Sequence, residues 1–207
     1  IALIIFGVGF VSAQEEITIG NGTSSGYDTP FNNYYLYSWN ESIYPKADTG
    51  DACTINSISY HRSSAATSYG TKEIKIYMGE TTRNKYTSQT AWTPSNSLTL
   101  VYSGSGVILG DSEWETFTLD TPFEYSGEDN LVVVVAKKSS NENSGLKWYF
   151  TSSTDYVSLY RRSDEKSSYA SHPGTNTGTF LKGYANIRLS VERNKHFERI
   201  TIGEGTS

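Results

Sequence analysis

The chain has 207 residues, a formal net charge of −5 and one cysteine. Its acids and bases are scattered with no basic stripe, which argues against a nucleic-acid partner, and no cationic amphipathic helix offers itself to a membrane surface. Cys53 has no second cysteine to bridge to, so it is expected to be a small buried residue.

The chain opens on an apolar run, 1–10, followed by Val11-Ser12-Ala13 and polar Gln14-Glu15-Glu16. That order marks 1–13 as a secretory leader with cleavage after Ala13. The run is shorter than the roughly 20 residues a spanning helix needs. The expected location is therefore secreted and cell-surface associated, with no membrane insertion. Beyond it, 16 tyrosines and abundant Ser, Thr, Gly and Asn favour strands and turns, and apolar residues never gather at a helical period. Alternation begins at Ile17 and Ile19 and returns through Ile55, Ile58 and Tyr60. In 72–78, Ile74, Ile76 and Met78 share one face while Lys75 and Tyr77 share the other. Leu98, Leu100 and Tyr102 follow, then 114–119, where Phe117 and Leu119 oppose Thr116 and Thr118. The stretch 121–129 is rich in turn residues, and the continuous run 131–135 reads as a central strand buried on both faces. Trp148 and Phe150, Val157 and Leu159, and Ile187, Leu189 and Val191 complete about nine strands. Their unequal loops favour an all-β, antiparallel, jelly-roll-like β-sandwich over a meander.

The segment 15–24 returns almost unchanged as 198–207, where only the pairs Glu16/Arg199 and Asn21/Glu204 differ. Self-similarity over so long a period predicts whole domains in tandem. The organisation expected is a leader (1–13), one module (14–191), a linker (192–199) and the start of a second copy (200–207). The opening Ile17-Thr-Ile-Gly, the aromatics of 31–37 with Tyr44-Pro45, Trp92-x-Pro94, Trp114-x-x-Phe117-x-Leu119 and the approach to the valine run together resemble a module of secreted multidomain proteins of Bacteroidota and related bacteria. Such modules occur in tandem or beside fibronectin type III and C-terminal sorting domains. The resemblance implies an extracellular β-sandwich and supplies no functional residues.

No nucleophile elbow, zinc motif, Cys-x-x-Cys or phosphate loop is present, so no enzyme is expected. His61, His172 and His196 lie far apart, and no catalytic or metal role is expected of them. No cofactor is expected. Calcium, which takes oxygen ligands, is the one structural ion to consider, and Asp48 and Asp51 in the loop Asp48-Thr-Gly-Asp51 are its expected ligands. Aromatics offer the clearest lead to a ligand, because Trp and Tyr give large contact area at little entropic cost. Tyr35, Trp39, Tyr149 and Tyr160, with Arg161, are the expected ligand-binding residues, provided they form one exposed strip, while Trp92, Trp114 and Phe31 are expected in the core. The function expected is adhesion or structural spacing in a tandem-repeat extracellular protein, with polysaccharide or a surface protein as partner. Two alternatives stand beside it: a carbohydrate-binding module using exposed Tyr and Trp, and a filament subunit in which 200–203 adds as a strand to a like subunit.

Overall fold

Alternating apolar and polar residues resolve into fifteen strands among the described residues, which in this computed structural model are 11–63, 69–109 and 113–195. In chain order they are β1 (Val11–Ile19), β2 (Ser24–Gly26), β3 (Tyr37–Tyr44), β4 (Cys53–His61), β5 (Tyr69–Gly70), β6 (Glu73–Thr81), β7 (Thr99–Ser105), β8 (Ile108–Leu109), β9 (Trp114–Tyr125), β10 (Asn130–Lys138), β11 (Trp148–Ser152), β12 (Ser158–Ser163), β13 (Thr179–Leu181), β14 (Gly183–Ala185) and β15 (Ile187–Lys195). One short helix, α1 (Lys46–Thr49), and two 3₁₀ turns, Ser95–Ser97 and Ser167–Ala170, interrupt them. The leader run and the repeated C-terminal segment lie outside the described residues.

The strands form two main antiparallel sheets. One is ordered β1-β15-β4-β9, the other β13-β12-β3-β10-β6-β7. If the eight principal strands β1, β3, β4, β6, β7, β9, β10 and β15 are lettered B to I, the sheets read BIDG and CHEF, which is the jelly-roll order. β12 and β13 widen the second sheet beyond β3, and β14-β11-β2 makes a small third sheet. The β1–β15 ladder runs from Val11↔Lys195 to Ile19↔Ile187. It thus extends past both expected module boundaries, taking in backbone expected to be leader and linker.

The main core lies between the two sheets and includes Ile55, Ile58, Ile74, Ile76, Met78, Val133, Trp148 and Leu189. Cys53 is buried there as a free thiol. A second apolar cluster covers the outer face of the six-stranded sheet: Trp39, Ile43, Val132, Val134, Ala136 and Leu159, roofed by Tyr86 and Trp92 from the β6–β7 connection. The valine run is therefore buried on both faces, as expected of a central strand.

One departure from the sequence expectation has a clear cause. The stretch 121–129 is not all turn. β9 continues through Pro122 to Tyr125, and its register against β4 jumps from Ser57↔Thr118 to Ile55↔Phe123. The edge position of β9 and this bulge are where a sheet tolerates proline. The turn that remains depends on Gly127, which has φ +71, and a Cβ there would lie 2.3 Å from the Ala52 backbone nitrogen. Gly127→Ala should therefore lower stability by about 1–3 kcal/mol, read as a shift in the urea midpoint at constant slope.

Candidate functional site

On the outer face of the six-stranded sheet, β3 places Trp39, β10 places Ala136 and Lys138, and β6 places Glu73, Lys75 and Tyr77. Ala136 sits directly opposite both Trp39 and Lys75 in the ladders. A small residue at that point leaves space between larger neighbours, and a pocket of about 230 Å³ opens there. Its other walls are Ser95 and Leu98 from the β6–β7 connection and the 170–172 stretch after the second 3₁₀ turn.

Three rings shape this pocket. Trp39 lies 5.5 Å from Tyr77 and 5.5 Å, edge to face, from His172. His172 is fixed at both nitrogens: Nε2–H donates to the Thr93 carbonyl at 2.8 Å, and Nδ1 accepts from the Gly174 N–H at 3.1 Å. It serves as a wall rather than a free base. The Trp39 side chain is only 2% exposed, and its indole N–H has no hydrogen-bond partner in the protein. A buried donor left unpaired costs free energy.

Charge gathers at the same pocket. Glu73 bonds Lys75 through one oxygen at 2.8 Å and Lys138 through the other at 3.1 Å. The hydrogen bond from Lys75 holds the Glu73 carboxyl below its ordinary range, with Lys138 adding to the effect, and the same bond raises Lys75. Glu73 and Lys75 are therefore both held in their charged forms at neutral pH.

Of the residues expected to bind ligand, Trp39 lines this pocket and the others do not. The exposed strip does not form. Tyr35 and Tyr160 meet elsewhere, with the Arg162 guanidinium over both rings at 4.6 and 5.3 Å and paired to Asp28. Arg161 is buried, its guanidinium 3.6 Å from the centre of the Tyr169 ring, because β12 alternation turns it onto the covered face beside Leu159. Tyr149 belongs to a third place, a cleft of about 430 Å³ beside the four-stranded sheet. There His61 stacks on Trp114 at 4.4 Å, Tyr149 lies 4.7 Å from His61, and Arg188 lies 4.0 Å over the indole. Trp114, expected in the core, is half-buried on the outer face of that sheet, in register with His61. Its ring is already stacked by two side chains, so it offers less open surface than the Trp39 pocket. Trp92 and Phe31 are core residues as expected.

Asp48 and Asp51 are both exposed. The carbonyl oxygens of their loop, which a calcium ion would need, accept instead from the Arg193 guanidinium, at Asp51 and, at 3.2 Å, at Thr49. Among the described residues no group of three His, Cys, Asp or Glu side chains converges as a metal-ligand set, and no helix is long and apolar enough to cross a membrane.

No known protein family, curated protein or solved structure matches the chain. What can be said of its site rests on the site's own geometry.

Proposed function

We propose that this chain is a non-catalytic adhesion module of a secreted, surface-associated protein, and that it adheres by holding one sugar unit of a polysaccharide in the Trp39–Tyr77–His172 pocket. The observation that carries this reading is the pocket itself, which three rings and a few polar groups line together. Concave, aromatic-lined sites with a small number of polar groups are the usual form of small-ligand sites, and this one, below the roughly 300 Å³ lower end of their range, suits a single ring. The leader-like run and the repeated 15–24 segment support an extracellular tandem arrangement, in which weak individual sites gain avidity.

The test is a polysaccharide binding screen with the purified protein, followed by titration of Tyr77→Ala. Tyr77 is half-buried at the pocket, so the variant should keep its fold and lose binding at least about tenfold, or about 1.4 kcal/mol. Binding that survives Tyr77→Ala and disappears in Tyr149→Ala would move the site to the His61–Trp114 cleft. A protein that binds no polysaccharide would sink the carbohydrate reading and leave adhesion to a protein partner, or spacing, as the function.

A further inference from the structure

We infer that the sugar unit taken by this pocket is acidic, a uronate or a sulfated sugar, with its anionic group seated against Lys75 and Lys138; this rests on the carbohydrate reading above. The argument is a count of donors and acceptors. Glu73 is the only acidic side chain among the lining residues, and each of its oxygens already accepts from a lysine. Each ammonium has three N–H donors, so both lysines keep donors beyond the one given to Glu73. The Ser95, Ser171 and Tyr77 hydroxyls of the lining each donate and accept, and His172 adds no acceptor, because its Nδ1 is taken by Gly174. The site thus carries one net positive charge that its own groups leave unbalanced.

A neutral sugar hydroxyl can pair with those hydroxyls but leaves the net charge unmatched. A carboxylate or sulfate only accepts, and charge-assisted hydrogen bonds to ammonium groups are about twice as strong as neutral ones. Both lysines are about one-third exposed, at 32% each, so a ligand can reach them and salt should weaken the contact. The protein's net charge of −5 works against indiscriminate attraction to polyanions, which makes a local cationic pocket readable in experiment.

The experiment compares polygalacturonate, sulfated dextran and unmodified dextran by titration at low and high salt. It uses the parent protein, a Lys75→Gln/Lys138→Gln double variant and Glu73→Gln, with circular dichroism to verify the fold of each. Binding of either charged polymer in preference to dextran, weakening with salt and falling at least tenfold in the double variant, is the expected result. Glu73→Gln should bind the charged polymers more tightly, since it removes the competing negative charge from the pocket. Equal, salt-independent binding of the neutral polymer, or a large loss in Glu73→Gln, would overturn the acidic-sugar inference and leave the carbohydrate reading standing. Failure to bind any of a wider set of polysaccharides would remove both.

Discussion

Raising the pH from about 7.5 to about 9 should stabilise this protein by about 2 kcal/mol, and Lys137→Met should abolish most of that gain. Lys137 is fully buried on β10, where its ammonium donates to the Tyr35 carbonyl and lies 6.0 Å from the Tyr69 ring centre. Burial pushes its pKa down from 10.5 to about 7, with Asp164 opposing the shift. The folded protein therefore holds this lysine neutral in a range where the unfolded chain holds it charged. Because the unfolded state binds more protons, stability rises with pH between about 7 and about 10.5 and is flat, from this group, below 7. Two other effects run the opposite way. The Cys53 thiol, pushed up by burial, opposes part of that gain as pH nears 9. The buried phenols Tyr44, Tyr60 and Tyr86 are raised too, so their contribution is lost only above about pH 10, outside the window. Urea unfolding of parent and variant at both pH values isolates the lysine, because the variant keeps Cys53 and the tyrosines. A variant with the parent's slope would show that Lys137 is not the source. At pH 7.5 the methionine variant should be the more stable protein, since it has no charge to strip of water.

The second large effect is expected from Glu41→Ala, which should cost about 3–5 kcal/mol. Glu41 is fully buried in the middle of β3, on the outer face of its sheet. One of its oxygens accepts from the Tyr86 hydroxyl at 2.8 Å, the Thr93 N–H at 2.8 Å and the Thr93 hydroxyl. Alanine would leave these donors buried without an acceptor and open a cavity beside them. It would also loosen the roof of the second core, because the Thr93 carbonyl anchors His172. Polysaccharide binding should weaken along with stability. Glu41→Gln keeps an acceptor oxygen and should cost far less, about 1 kcal/mol. An alanine variant within about 1 kcal/mol of the parent in urea would refute the anchoring role.

β3 is also where the sequence was hardest to read. Tyr37, Trp39 and Ile43 alternate with Ser38, Asn40 and Ser42, which reads as a strand with one polar, solvated face and with Glu41 breaking the other, yet the strand is almost wholly buried at the centre of the larger sheet. It can be polar because its side chains find partners: Ser42 bonds Ser158 at 2.7 Å, Asn40 bonds the Asp28 carbonyl, and Glu41 anchors the roof. A hydrophobic period cannot reveal that the polar face and Glu41 are buried, because their burial depends on partners supplied from distant sequence. The two- and three-residue strands β2, β5, β8, β13 and β14 were missed for another reason, being too short to show any period. Where alternation exists, it carried real information. Lys75 and Tyr77 were legible as sharing the face opposite Ile74, Ile76 and Met78, and that face holds the pocket. Trp114 shares a face with Thr116 and Thr118, so its outward position could have been read from the same rule that placed Phe117 and Leu119 inside. The gathering of Trp39 with Tyr77 and His172 was not legible, because it depends on strand order and on a small residue, Ala136, on the strand between those of Trp39 and Tyr77.

The pairing of the first strand with the last has a mechanical consequence. In the β1–β15 ladder, Val11 faces Lys195, so the chain enters and leaves the sandwich at one pole. In an antiparallel pair the hydrogen bonds run across the strands, and tension applied at that pole would pull along them, parting the ladder one pair at a time like a zip. A module held in this way yields at low force. If copies stand in tandem as proposed, successive ones under fluid shear would open in turn and let the tether lengthen gradually.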